Sequence, residues 1–255
     1  MLTFILISGW AAQSESLFPL RDELAQVSSV HTLSLHDLPG FVKTVRDDDN
    51  LSAYASGLLS YIQNLKGRCI VTGWSTGGIV ALEAAAHNQD QIAGIVIMNG
   101  TARFCTDKAY EFGRPEVILR AMSQGLSKAV PVVLTGFYAD VFSPFIPDSH
   151  EISRSVEAAS RIDAYELKAG LQYLREVDLR TRLKNISVPT LIIHGREDSI
   201  VPLGAGQYLS DNITRSEFAV CDHVGHDLPL RYPGYVKLKI QEFGDRSFNE
   251  AEDKT

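Results

Sequence analysis

The sequence predicts an α/β fold, a mostly parallel sheet of about six strands flanked by helices, with a helical insertion between two of the strands. Three observations predict it. Short apolar runs alternate with amphipathic segments through the first hundred residues, and the same rhythm returns after residue 186. Between these blocks the rhythm stops, and only helical patches broken by proline and glycine remain. Finally, Gly73-Trp-Ser-Thr-Gly-Gly78 joins an apolar run directly to a helix-forming one, Ile79-Val-Ala-Leu-Glu-Ala-Ala-Ala86. Strand, G-x-S-x-G and helix in that order form a nucleophile elbow, a tight turn that exposes a serine at the tip of a strand.

Taken in order, Leu2-Ser8, Val30-Leu35, Arg68-Thr72 and Ile92-Met98 read as buried strands, with helices over Ser16-Val27, Leu51-Leu65 and Thr76-His87. Strands that alternate with helices imply a parallel sheet covered on both faces. From Thr101 to about Asn185 no strand is evident, and helices are expected over Pro115-Gln124, Lys128-Phe142, His150-Arg161 and Asp163-Val177. Asp163 followed by Glu166 resembles a capping box. Sheet rhythm resumes with Pro189-His194, a helix near Leu203-Ser210, the strand Arg215-Val220 and a last helix near Gly234-Phe243; the polar tail Gly244-Thr255 is expected to fray. Residues 1–100 and 186–255 therefore form one core, and 101–185 an insertion above the strand C-termini, where open α/β sheets bind ligands. Such an insertion is expected to act as a lid.

Composition sets outer bounds. The 255 residues carry a formal charge of -7, the wrong sign for a nucleic-acid footprint. No stretch approaches the ~20 apolar residues of a membrane span. The apolar opening Met1-Ile7 lacks a basic n-region and a cleavage site, and suits a buried strand. Cys69, Cys105 and Cys221 are odd in number and far apart, so no disulfide framework is implied and a cytoplasmic setting is expected. The expectation is a monomer without metal or cofactor.

A serine hydroxyl is a poor nucleophile until a base takes its proton, and the base needs an anion to fix its tautomer. The elbow at Ser75 therefore calls for an acid and then a histidine downstream. Asp198 follows the strand ending at His194, and His226 follows the next strand. Glu197 and Asp222 compete for the acid, and His223 for the base. Gly225 is expected to let the loop bend and point His226 inward. His194, ending a strand, reads as a hydrogen-bonded structural histidine. An oxyanion hole needs two amides: the residue after the nucleophile, Thr76, and the loop after the first core strand, Ser8-Gly9-Trp10-Ala11, where Trp10 is the candidate. The plain alternative there is an ordinary glycine turn beside a core tryptophan. Trp10 and Trp74 are candidates for an aromatic wall of an acyl pocket. The apolar residues Val132, Val133, Leu134, Phe137, Tyr138 and Phe142 either line that pocket or simply pack the helices together.

Weaker signals are set aside. Cys221-Asp222-His223-x-x-His226 lacks a zinc spacing. The Gly73-Gly78 loop lacks the Lys-Ser/Thr of a phosphate-binding loop. Asp47-Asp-Asp49 reads as a solvated loop.

These residues resemble the α/β-hydrolase superfamily over nearly the whole chain. The likeness rests on the elbow, His36-Asp-Leu-Pro-Gly40, Gly195-Arg-Glu-Asp-Ser-Ile-Val-Pro202 and Gly225-His226. A closer resemblance is to the pimeloyl-acyl-carrier-protein methyl ester esterases of biotin synthesis. It is carried by the G-W-S-x-G-G elbow, the Gly9-Trp10 pair, and Gly170-Leu-Gln-Tyr-Leu-Arg-Glu-Val-Asp-Leu-Arg180 leading into Leu183-Pro189. The resemblance implies Ser75 as nucleophile, Asp198 as orienting acid, His226 as general base, and Trp10 and Thr76 as oxyanion amides. It also implies a small acyl ester substrate, carried on an acidic carrier protein gripped by lid arginines. Here the lid offers Arg103, Arg114, Arg120, Lys128, Arg154 and Arg161, although Pro131-Val-Val133 stands where further basic charge is expected. Ser8-Gly9 replaces the family's His-Gly, and the usual leading antiparallel strands are expected to be missing. Two other functions stay open: a lyase or C–C hydrolase on the same fold, as in menaquinone synthesis, and a non-catalytic binding module, for which a triad member should have been lost.

Overall fold

A computed structural model describes residues 2–38 and 51–249. Its strands are β1 (Thr3–Ile7), β2 (Ser29–Leu33), β3 (Cys69–Trp74), β4 (Ile92–Met98), β5 (Thr190–Gly195) and β6 (Ser216–Cys221). They form a six-stranded sheet in the order β2-β1-β3-β4-β5-β6, with each neighbouring pair parallel. The interior strands read as unbroken apolar runs because both of their faces are covered: every residue of β3, β4 and β5 is buried. The edge strands β2 and β6 are only half-buried, which fits their mixed sequences.

The helices of the core are α1 (Phe18–Leu24), α2 (Ala53–Gln63), α3 (Thr76–His87), α8 (Leu203–Asn212), α9 (Leu228–Arg231) and α10 (Pro233–Asn249). Between β4 and β5 the chain inserts α4 (Glu116–Leu126), α5 (Val130–Phe142), α6 (Ser149–Ala159) and α7 (Ala164–Glu176). The helix expected over Ser16-Val27 is shorter: a 3-10 turn at Ser14–Leu17 precedes α1, with Pro19 in its first turn. Asp163 caps α7 by accepting the Tyr165 amide at 2.7 Å. Conversely, the expected fraying from Gly244 is not seen. Helix α10 runs on to Asn249, and Phe243, near the tail's start, is almost fully buried. Arg246 holds the extension to β6 through Glu217. Residues 250–255, Asp47-Asp49 and the Pro39-Gly40 part of the second motif lie outside the described residues.

Strand order places the chemistry. The chain adds β2 on one side of β1 and then crosses to add β3 on the other, so the loops leaving β1 and β3 diverge around a crevice at this switch point. Register makes those loops level: Ile7 pairs with Gly73, Gly73 with Ile97, and Trp74 with Met98. Close approach then selects glycine at the elbow. A Cβ at Gly73 would lie 2.3 Å from the Gly77 carbonyl oxygen, and one at Gly77 would lie 2.4 Å from the Ile7 oxygen. Both collisions are with backbone, which cannot swing aside.

Gly77→Ala is expected to cost at least the ~1–3 kcal/mol of an overpacked core. Gly136→Ala, whose added methyl meets nothing within 4 Å on α5, is expected to be neutral or to stabilise by about 0.5–1 kcal/mol. Denaturant melts of the two variants should shift in opposite directions, or the second not at all.

Candidate active site

Ser75 stands between β3 and α3 with φ 56° and ψ -120°, a backbone conformation that costs a non-glycine residue roughly 1–3 kcal/mol. Its amide is anchored on the Met98 carbonyl at 2.9 Å, and its own carbonyl receives the amides of Gly78 and Ile79. The strained turn is thus held from both sides, and the hydroxyl is left free to point out of the sheet.

Three strand-end loops meet there. The Ser75 Oγ lies 2.8 Å from His226 Nε2, and His226 Nδ1 lies 2.7 Å from Asp198 Oδ2. Asp198, on the loop after β5, and His226, on the loop after β6, are both buried. The remaining Asp198 oxygen accepts the amides of Ile200 and Val201 at 2.8 Å each. Burial works against the charge on Asp198. The adjacent His226, which also donates a hydrogen bond, together with His194 and the Asn99 amide, nonetheless holds the carboxyl below its ordinary value. Asp198 is therefore a carboxylate at neutral pH, orienting the imidazole whose other nitrogen faces the serine.

The competing residues lie elsewhere. Glu197 accepts the Val224 amide at 3.0 Å, and Asp222 pairs with Arg196 on the surface. His223 is 92% exposed and takes the left-handed φ of 61°. That assigns the sharp bend to His223. Gly225 serves another purpose: a Cβ there would collide with the Ser143 carbonyl oxygen at 1.8 Å, so it lets the base loop press against the end of α5. No group of three or more metal-type side chains gathers among the described residues, the Cys221-to-His226 stretch included. His194 is fully buried and pairs through Nε2 with the Val201 carbonyl at 2.9 Å, while its Nδ1 has no partner among the described residues.

Two supports escaped sequence reasoning. Asn99, buried at φ 50° just past β4, donates through Nδ2 to Asp198 Oδ2 at 2.5 Å and to the Gly225 carbonyl at 3.0 Å. It ties the acid loop to the base loop. The only available signal was its position, a polar residue at the end of an apolar strand in the layer of the elbow. Ser8 is the other. Its Oγ donates to the Ala12 carbonyl at 2.8 Å and closes the loop after β1 on itself, which gives a local reason for serine where histidine was expected.

That loop carries Trp10 beside the serine, since a Cβ on Gly9 would lie 3.0 Å from Ser75 Cβ. The backbone amides of Trp10 and Thr76 have no acceptor among the described residues. Next to them opens a cavity of about 520 Å³ whose lining includes Ser75, Thr76, Trp10, Phe137, Met122 and Leu174. Val132 and Val133 also line it, whereas Leu134, Tyr138 and Phe142 are buried in helix packing. Trp74 does not line this cavity, contrary to expectation. Strand alternation sends its ring down to the base, where Nε1 donates to the His226 carbonyl at 2.8 Å and the rings sit 5.7 Å apart. Helix α4, to which the sequence assigned no role, also lines the cavity through Ile118, Leu119 and Met122.

A family model described as the alpha/beta hydrolase family matches residues 4–236, and the chain belongs to that family. It is 32% identical, over 78% of its own length and 74% of the other's, to the pimeloyl-[acyl-carrier protein] methyl ester esterase of Shewanella oneidensis. To the enzyme of the same name from Nitrosomonas europaea it is 27% identical over 90% of both chains. Among solved structures an esterase from Exiguobacterium antarcticum superposes with a TM-score of 0.84 at 21% identity, covering 95% of this chain and 91% of that one. By class the chain is a carboxylic ester hydrolase.

Burial lowers the affinity of His194 for a proton. Its folded form therefore binds fewer protons than the unfolded chain below the ordinary histidine value, and stability must fall as pH drops through ~6.5, by at most ~1.4 kcal/mol per unit. His194→Gln should flatten that part of a melting-temperature profile. Asn99→Ala strips a donor from two buried acceptors, and a loss of about 1–3 kcal/mol is expected in urea melts.

Proposed function

We propose that the chain is a serine esterase acting through an acyl-enzyme on a methyl ester, with pimeloyl-acyl-carrier protein methyl ester as its substrate in biotin synthesis. The observation that carries the mechanism is His226, hydrogen-bonded at once to Ser75 Oγ and Asp198 Oδ2 beside an apolar cavity. The substrate rests on the names borne by the relatives from Shewanella and Nitrosomonas. No helix among the described residues is long and apolar enough to cross a membrane.

In this reading His226 Nε2 removes the Ser75 proton as Oγ attacks the ester carbonyl carbon. The negative oxygen of the tetrahedral intermediate is received by the Trp10 and Thr76 amides, which have no other acceptor among the described residues. Asp198 stabilises the imidazolium. His226 then returns the proton to the methoxide, which leaves as methanol. Water, deprotonated by the same base, attacks the acyl-enzyme and releases the free acid and Ser75. The inserted helices α4 to α7 act as a lid over the cavity, residues 101–185 against the core of 1–100 and 186–255.

A second reading, a general short-chain carboxylesterase, is favoured by how the inserted cations are spent. Arg103 pairs with Asp107 and Asp178, Arg120 with Glu116, and Arg161 with Glu157. Lys128 and Arg154 have no acidic partner among the described residues, and Arg114 donates to the Ser199 carbonyl at the cavity wall. Fewer free charges thus remain to steer an acidic carrier than the sequence alone suggests.

Ser75→Ala is expected to lower kcat on a methyl ester by about 10⁴-fold or more, and Asp198→Asn by a comparable factor, at nearly unchanged KM. Wild-type turnover in Ser75→Ala would end the mechanism. Growth of a biotin auxotroph lacking its own methyl esterase separates the two substrates: rescue by the wild type and not by Ser75→Ala is expected, and failure to rescue leaves the general carboxylesterase.

A further inference from the structure

The loop that supplies the Trp10 amide is held at its two ends by different parts of the molecule. At its root, Ser8 is bonded to the core: its amide donates to the Leu33 carbonyl of β2 at 3.0 Å, and its Oγ closes on Ala12. Past that point, beside the local bond from Ser16 Oγ to the Gln13 carbonyl at 2.7 Å, three side-chain ties run to the inserted helices. Trp10 Nε1 donates to the Leu167 carbonyl of α7 at 2.8 Å. The Tyr138 hydroxyl on α5 donates to the Ala11 carbonyl at 2.7 Å. Gln13 Nε2 donates to the Ala158 carbonyl of α6 at 3.3 Å. Packing follows the same route, with the Phe137 ring edge-on to Trp10 at 4.7 Å between centroids.

Ala11 is the critical residue of this loop. It takes φ 58°, in the left-handed region that a non-glycine residue rarely enters, and it is buried. A strained peptide survives where its surroundings over-determine it. Among the described residues the Ala11 carbonyl has one partner, Tyr138, whose ring is packed against Phe137 and Phe142 and whose hydroxyl is buried with it. The Ala11 carbonyl shares its peptide plane with the Ala12 N–H, which donates to the Gly9 carbonyl at 3.2 Å, and the Gly9 carbonyl in turn shares its plane with the Trp10 N–H, so the hydroxyl bears on the direction of that amide through one intervening hydrogen bond.

We propose that Tyr138 is a positioning residue for the oxyanion hole: its hydroxyl pins the Ala11 peptide, so that the Trp10 amide is aimed at the substrate only while α5 is docked on the core. Trp10 is then the point at which the lid and the catalytic centre are coupled. This inference rests on the serine-esterase reading. It adds that the lid sets the chemical rate and does not merely cover the cavity. Gly170 on α7 belongs to the same device, since a Cβ there would lie 2.6 Å from Trp10 Cδ1 and force the indole outward.

The test is steady-state hydrolysis of p-nitrophenyl butyrate by wild type, Ser75→Ala, Tyr138→Phe and Gly170→Ala, with folding checked by circular dichroism and thermal melting. Losing an oxyanion donor outright costs about 10²–10³ in kcat. Tyr138→Phe, which keeps the ring and removes one oxygen, is expected to lower kcat at least tenfold with KM within about twofold, and to slow the labelling of Ser75 by a fluorophosphonate in parallel. The pH at half-maximal kcat/KM should stay unchanged, because the His226–Asp198 pair is untouched. Gly170→Ala is expected to show the same split of kcat from KM. A folded Tyr138→Phe with wild-type kcat, beside an active wild type and a dead Ser75→Ala, overturns the inference and leaves the esterase reading intact. A lower melting temperature with unchanged kcat does the same, since it makes the hydroxyl a structural bond only. If wild type hydrolyses no ester and takes no label, the esterase reading falls and this inference falls with it.

Discussion

Everything at the site depends on a serine held where serine does not rest by itself. At φ 56° and ψ -120°, Ser75 lies outside the regions an L-residue prefers, and nothing in its own side chain compensates. Compensation comes from the sheet. Parallel register brings the ends of β1, β3 and β4 to one level, so the Met98 carbonyl is in place to take the Ser75 amide and the Ile7 carbonyl lies against Gly77. The elbow glycines are thus consequences of how closely α3 starts over the strand ends, with Gly73 facing the Gly77 backbone and Gly77 the Ile7 carbonyl, so that neither approach leaves room for a Cβ. Move the register by one residue and the strain has no support.

The same levelling explains how a charged acid stands in a dry site. A buried carboxylate is expensive unless hydrogen bonds surround it. Asp198 accepts from two amides of its own loop, from Asn99 and from His226, so both of its oxygens are occupied. Asn99 reaches it because β4 pairs with β5 at Met98 and Ile193, and the Asn99 amide is itself anchored on the Ile193 carbonyl. Ser75, Asn99, Asp198 and His226 thus follow four consecutive strands of one sheet, β3 to β6. A second buried carboxylate, Glu83 on α3, shows the alternative solution. It accepts from Ser52 and from the Tyr173 hydroxyl of α7, and Arg182 lies 3.9 Å away, which joins the helix behind the nucleophile to the inserted segment.

Much of this was legible in the sequence because it is local. Strand type follows from apolar runs such as Ile92–Met98, and the elbow from glycines at fixed spacing around Ser75. The positions of Asp198 and His226 follow from chain order once the strands before them are known. What stayed hidden was relational. Trp74 lies one residue from the nucleophile, and on that evidence alone it belongs to the pocket, yet alternation along β3 turns it toward His226. Gly225 read as a hinge, because its clash with Ser143 involves a residue far away in the chain. The role of Ser8 needed the position of the Ala12 carbonyl, and that of Asn99 the position of Asp198. The paired state of Arg103 depends on Asp178, contributed by the far end of the insertion. A hydropathy pattern contains none of these distances.

The serine at position 8, where the resemblance led to an expected histidine, shows how one short local bond can shape a loop. A histidine after β1 fills space and offers a ring nitrogen several ångströms from the backbone, whereas a serine offers one hydroxyl within reach of its own turn. In this chain the hydroxyl turns back on Ala12, so the root of the loop after β1 is closed by a short local bond. A loop fastened so near its root leaves its tip, Trp10 and Ala11, short of core partners, and the tip is where the inserted helices take hold through Leu167 and Tyr138. The economy at position 8 and the dependence on the insertion are therefore two sides of one arrangement. A shorter anchor in the core passes the task of holding the strained Ala11 peptide to a part of the chain more than a hundred residues away.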